Sequence, residues 1–384
     1  MFFSIGLDKD SRFPVHYKIN AGFFSCDNGW NFQSTNGKII IYKGYAEEGV
    51  VDQLINDPTP RLHGNFCLVI SDHEKTTVTH DINRSFPLYW LPDQKILTNL
   101  TIESNDLIIN VYADRYVILD KNLNYYETFF DCYGKIDLTP IDTDQCIDQI
   151  IQILTNTSMI NINCPLNLFL TGGVDSSLVG ALLHRQKIPH NLIEYEHFDY
   201  DNFTYKNIEN IKNHHWGYQQ MHHWITPSAL ASGSYGDVIF LRSLNTVALW
   251  AAWHNIDLVT LLKQHPDSYH YHYFLKNKQI LIDAWQRRQD IQQLTPVELV
   301  QQILNITIND HQHWHLGNTL TITPLKNLEI TKLLLRLPTQ VLVTQILNAD
   351  ISKELIRQID PTFLKYVAPY KNYCNLLVLS HDPA

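Results

Sequence analysis

The stretch Leu168-Phe169-Leu170-Thr171-Gly172-Gly173-Val174-Asp175-Ser176-Ser177 is an apolar run that stops at two glycines and then offers one carboxylate and two hydroxyls. It passes directly into Leu178-Val179-Gly180-Ala181-Leu182-Leu183. The pattern predicts a strand, a phosphate-binding loop and a helix. Glycines let backbone N–H groups approach an anion closely, and a helix N-terminus presents unpaired donors carrying partial positive charge. Asp175 would repel a phosphate unless a cation lay between them, so an acid in such a loop implies bound Mg²⁺, while Ser176 and Ser177 can donate to phosphate oxygens. The expected ligand is Mg·ATP, held by Leu170, Thr171, Gly172, Gly173, Asp175, Ser176 and Ser177. The plainer alternative is a strand-to-helix turn in which Asp175 or Ser176 merely caps the helix. The loop has neither the lysine of G-x-x-x-x-G-K-[ST] nor the spacing of G-x-G-x-x-G.

A chain of 384 residues exceeds the size at which one core keeps growing, so two domains are expected. From the N-terminus to about residue 135, short β-rich runs alternate with turn residues: Lys38-Ile39-Ile40-Ile41-Tyr42, Phe66-Cys67-Leu68-Val69-Ile70, Thr76-Thr77-Val78-Thr79-His80 and Leu107-Ile108-Ile109-Asn110-Val111. A boundary falls near Leu138-Thr139-Pro140, giving domains 1–137 and 138–384. Beyond it, Ile147, Ile150, Ile151 and Leu154 follow the i, i+3, i+4, i+7 spacing of an amphipathic helix leading into the phosphate loop. Helix-period segments, among them Thr246-Val247-Ala248-Leu249-Trp250-Ala251-Ala252-Trp253 and residues 297–306, dominate from there on.

A net charge of −10 without clustered Lys and Arg argues against a nucleic-acid partner. No run of about 18 apolar residues exists and the first residues do not form a signal peptide, so no membrane partner and a cytoplasmic location are expected. The six cysteines are scattered without a C-x-x-C pair and are expected to be reduced and buried. His214, His215, His222, His223, His270, His272, His311, His313 and His315 share no fixed ligand spacing, which favours hydrogen-bonded or partner-binding histidines over a metal centre.

The loop resembles the S-G-G-x-D-S loop of the N-type ATP pyrophosphatases, with Thr171 in place of the first serine. The second half is similar to the synthetase domain of the asparagine synthetase and β-lactam synthetase family. In the first half, Leu62-His63-Gly64-Asn65-Phe66-Cys67-Leu68-Val69-Ile70-Ser71-Asp72 and Asp81-Ile82-Asn83-Arg84-Ser85-Phe86-Pro87-Leu88-Tyr89-Trp90 resemble strand-and-turn signatures of that family's glutaminase domain. The fold implied is an α+β, β-rich, Ntn-hydrolase-like domain followed by an α/β PP-loop ATP pyrophosphatase domain with a parallel sheet. The family's second glycine-rich turn, S-G-x-G-x-D-E, is matched by Ser232-Gly233-Ser234-Tyr235-Gly236-Asp237-Val238, so that Gly233 would border the nucleotide and Asp175 and Asp237 would hold the Mg²⁺. Two carboxylates suffice, because Mg²⁺ keeps several waters and takes the rest from phosphate. Ser352-Lys353-Glu354-Leu355-Ile356-Arg357 and Pro369-Tyr370-Lys371-Asn372 are similar to the family's later elements, which gives Lys371 the role of the phosphate-contacting lysine; Lys353 and Lys365 are the other lysines of that stretch.

The departures shape the expected function. Phe2 stands where the glutaminase cysteine belongs, so no glutamine-derived ammonia is expected and the first domain is a retained scaffold. Ser234 occupies the place of the residue that orients or deprotonates the amine, Tyr235 follows one position later, and Val238 replaces an acid. The resemblance implies an AMP-forming amide synthetase, with Lys371, Tyr235 and Ser234 as its catalytic candidates. Its substrates would be a small-molecule or peptide carboxylate and an amine or free ammonia; self-association is left open. The alternative is a nucleotide-binding scaffold that has lost turnover. An Asp175→Ala change is expected to abolish AMP production and leave the fold nearly intact.

Overall fold

The structure is a computed structural model that describes residues 2–46, 64–81, 86–100, 107–111, 115–129, 139–156, 166–170, 172–194, 229–233, 236–242, 244–254, 258–264 and 320–367, with single positions at 55, 137, 256 and 266. The protein is α+β. It divides into two compact units: Met1–Gly134 with Met221–Ser228 and His311–Ile322, and Lys135–Gln220 with Ala229–Asp310 and Thr323–Ala384. No helix among the described residues is long and apolar enough to cross a membrane.

The first unit is built on two six-stranded antiparallel sheets. Strands β1 (Phe3–Gly6), β2 (Val15–Ile19), β3 (Gly22–Cys26), β8 (Leu88–Leu91), β9 (Ile96–Thr98) and β10 (Ile109–Val111) pair in the order β10-β8-β9-β1-β3-β2. Strands β4 (Asn31–Thr35), β5 (Lys38–Ala46), β6 (Gly64–Ser71), β7 (Lys75–His80), β11 (Arg115–Asp120) and β12 (Tyr125–Phe129) pair in the order β12-β11-β7-β6-β5-β4. Side chains from both sheets share one core: Phe3, Ile5 and Phe24 from one, Ile41, Val69, Val78 and Leu119 from the other. In β6, Cys67 and Val69 face that core while Phe66, Leu68 and Ile70 enter a second cluster with Ile40 and Ile55. Both faces of this strand are therefore buried, which is why its sequence is a continuous apolar run rather than an alternating one.

In the second unit, helix α1 (Thr143–Asn156) buries Ile147, Ile150 and Leu154, the stripe its spacing requires. Strand β13 (Leu166–Leu170) is flanked in parallel by β14 (Asn191–Glu194), with Leu168 opposite Leu192, and by β15 (Ala229–Ala231), with Leu168 opposite Ala231. Helix α2 (Val174–Arg185) supplies the crossover that a parallel β13–β14 pair needs. Because β14 and β15 lie on opposite sides of β13, the chain leaves the carboxyl end of β13 at a topological switch point, where open parallel sheets bind ligands. Only this short parallel sheet is present among the described residues of the unit. The remaining helices are α3 (Gly236–Ile239), α4 (Leu244–Trp253), α5 (Leu258–Lys263), α6 (Leu328–Leu334), α7 (Thr339–Leu347) and α8 (Asp350–Ile359), followed by a 3₁₀ turn at Pro361–Tyr366. Helix α2 is buried along nearly its whole length, and Phe363 of the 3₁₀ turn lies directly on Gly180, where a Cβ would strike its ring.

Candidate functional site

The strand, loop and helix expected around Asp175 are present: β13 ends at Leu170 and α2 begins at Val174. Between them Gly172 has φ +75°, a left-handed turn that a residue with a Cβ adopts only at a cost. Gly173 is the N-cap, and no side chain caps the helix. Neither Asp175 nor Ser176 performs the capping role of the plainer reading. Ser176 Oγ and Ser177 Oγ each donate to the Gly173 carbonyl at 3.0 Å, a local turn bond that ties the hydroxyls to the loop, and Ser177 is fully buried.

The second glycine turn lies against the first. A Cβ added at Gly233 would come within 2.6 Å of Ser176 N and 2.7 Å of the Asp175 carbonyl carbon, and one added at Gly236 would land on the Asp175 carboxylate. Parallel pairing of β13 with β15 explains the meeting, since both loops leave the same end of the sheet. Two segments about 60 residues apart in the chain thus form one surface: glycine at 233 lets the backbones touch, and glycine at 236 leaves room for the Asp175 carboxylate.

A residue that the sequence did not single out holds the acids together. The guanidinium of Arg242 forms an ion pair with Asp175 Oδ1, and its Nε lies 3.1 Å from Asp237 Oδ1. Asp237 is 69% exposed, whereas Asp175 is 18% and Arg242 6% exposed. Burial raises the Asp175 carboxyl above the usual carboxylate range, helped by the negative charge of Asp237 and opposed by Arg242. No periodicity or motif marks Arg242. Its only signal is a basic residue five positions after a candidate metal acid.

The expected Mg²⁺ can be tested against this donor set. Among the described residues no group of three or more His, Cys, Asp or Glu side chains is gathered for a metal. Asp175 and Asp237 do come together around one positive group, and two hard carboxylate oxygens beside phosphate are the donors Mg²⁺ takes. The two acids fit an Mg²⁺ that arrives with a nucleotide's phosphates, and Arg242 is already paired to both of them.

Thr171, Ser234, Tyr235 and Lys371 lie outside the described residues, as do His214, His215, His222, His223, His270, His272, His311, His313, His315 and residues 297–306. Of the other lysines considered, Lys353 Nζ donates to the Asn348 carbonyl at 2.9 Å and Lys365 Nζ sits 4.7 Å from the Tyr366 ring centre. In the first unit, the Phe2 N–H donates to Asp27 Oδ2 at 3.0 Å. Cys26 and Cys67 are fully buried, and burial pushes the Cys26 thiol up to about 12 and the Cys67 thiol up as well. Neither thiol is a nucleophile near neutral pH.

No protein-family model matches the chain, and no curated protein matches it.

Proposed function

We propose that the paired glycine loops bind the pyrophosphate of Mg·ATP and that the protein is an AMP-forming amide synthetase of the PP-loop type. The observation that supports this reading most is the contact of Gly233 and Gly236 with the Ser176–Asp175 backbone and carboxylate, which joins two separate loops at the carboxyl end of a parallel sheet. An uncapped helix N-terminus at Gly173 and the left-handed Gly172 provide an anion cradle there. Mg²⁺ bound to Asp175 and Asp237 would neutralise phosphate charge.

In this reading the chain aligns a substrate carboxylate with the α-phosphorus. A carboxylate oxygen forms the new P–O bond as the α–β bridge breaks and pyrophosphate leaves. An amine nitrogen then attacks the acyl carbon, loses a proton, and expels AMP. Lys371 is the proposed stabiliser of charge on the transferring phosphate and on the tetrahedral oxygen, with Ser234 and Tyr235 beside the amine. An amine on the same molecule would gain from proximity, worth roughly 10⁵ M or more in effective molarity when well oriented.

A second reading, a nucleotide-binding scaffold without turnover, is favoured by one observation: Arg242 already compensates part of the charge on Asp175 and Asp237. AMP and pyrophosphate release from Mg·ATP, with amino acids, pooled carboxylates and ammonia offered, separates the two. Release that depends on one pool and is lost in Asp237→Asn supports the synthetase. Mg·ATP binding without AMP in every pool supports the scaffold.

A further inference from the structure

We propose that Arg242 is an internal counter-ion that clamps the phosphate loop to the second glycine turn, so that the Asp175–Asp237 pair is assembled without a free divalent cation and is guarded against one. Three observations carry this beyond a surface ion pair. The guanidinium is buried, and its planar fork reaches carboxylates on two separate loops. The backbone is shaped to deliver it: Leu241 has φ +57°, a left-handed conformation that a bulky side chain rarely adopts, and the Arg242 N–H donates to the Asp237 carbonyl at 2.7 Å. That reversal is itself anchored, because Thr246 Oγ1 donates to the Leu241 carbonyl at 2.7 Å and Thr331 Oγ1 to the Ile239 carbonyl at 2.8 Å.

The charges give the consequence. Two carboxylates and one guanidinium leave a net charge of about −1, too little to draw a divalent cation strongly, and the ion must share the acids with, or displace, a buried arginine already paired to both. Without the arginine, the same pair would be two uncompensated acids held close by glycine contacts, which is a far better divalent site. This inference concerns the acid pair and does not depend on any nucleotide being bound.

The experiment is Mn²⁺ binding to the full-length protein without nucleotide, by calorimetry or by the EPR signal of free Mn²⁺, alongside thermal unfolding. Arg242→Gln should bind Mn²⁺ at least tenfold more tightly than the wild type. It should melt lower than the wild type in metal-free buffer and recover on adding Mn²⁺, while the wild-type melting temperature stays unmoved. Equal Mn²⁺ affinity in the two proteins, or an unchanged melting temperature for the metal-free variant, would overturn the proposal. If Arg242→Gln does not fold, Arg242→Lys carries the test, since it keeps one charge and loses the fork. Mn²⁺ binding at least threefold tighter than wild type supports the clamp, and wild-type affinity overturns it.

Discussion

Replacing Gly233 by alanine puts the contact between the two loops to a quantitative test. The new methyl would lie 2.6 Å from Ser176 N and 2.7 Å from the Asp175 carbonyl carbon, whereas ordinary contact begins at 3.4 Å. The obstacle is backbone on a buried helix rather than the end of a flexible side chain, so the loops must part by about 0.8 Å or the turn must distort, as in other overpacked sites. Overpacking of this kind costs about 1–3 kcal/mol. Alanine also restricts the unfolded chain, which offsets about 0.4–1 kcal/mol. The net loss of about 1–2 kcal/mol corresponds to a melting temperature lower by about 2–8 °C for a unit of this size. Differential scanning calorimetry measures that shift, and titration with Mg·ATP measures the accompanying loss of affinity. A Gly233→Ala protein that melts at or above the wild-type temperature would refute the reasoning, because the loops would then not abut.

Asp175→Ala should do more than remove a ligand. It leaves the buried Arg242 with only the exposed Asp237, and breaking a buried pair from one side costs about 3–5 kcal/mol, so a melting temperature unchanged within about 1 °C would sink the assignment. Stability should fall in acid through Asp10, whose carboxyl the Arg12 side chain holds down at about 2. Because the folded value lies below the unfolded value near 3.9, this contribution is complete above that pH and is lost as pH falls towards 2. It amounts to about 1 kcal/mol once screening of the half-exposed Arg12 is counted, and an NMR titration giving Asp10 an ordinary pKa would contradict it. Cys26, Cys67 and Cys146 are buried with thiols pushed upward, so iodoacetamide at about pH 8 should leave all three unmodified until denaturant is added, as peptide mass mapping would report.

Much of the local structure was legible because single periods carry it. The stripe Ile147, Ile150, Leu154 fixed α1, and the apolar run stopped by Gly172-Gly173 fixed the β13-loop-α2 junction. The strands read at residues 38–42, 66–70 and 76–80 lie within β5, β6 and β7. The segment at Leu107 begins its strand only at Ile109, and Leu107 is exposed. What the sequence could not convey is geometry between loops. A glycine announces conformational freedom, but only the folded chain shows that Gly233 is needed because the Ser176 backbone passes beside it. Arg242 was invisible for a related reason: its role comes from the reversal at Leu241 and from partners 67 and five positions away, neither of which leaves a periodic trace. The expectation that Asp175 could be removed without harm to the fold rested on loop residues carrying little packing, and its pairing with a buried guanidinium overturns that premise. The local bonds of the Ser176 and Ser177 hydroxyls to the Gly173 carbonyl likewise have no periodic trace in the sequence.

The most direct test of the proposed chemistry is to follow which bond of ATP breaks and where an oxygen goes. Purified protein is incubated with Mg·ATP, ammonia and carboxylates labelled with ¹⁸O, and the products are read by ³¹P NMR. The account predicts AMP and pyrophosphate, with one ¹⁸O transferred from the carboxylate to the AMP phosphate. ADP and inorganic phosphate, or AMP without the label, would contradict it.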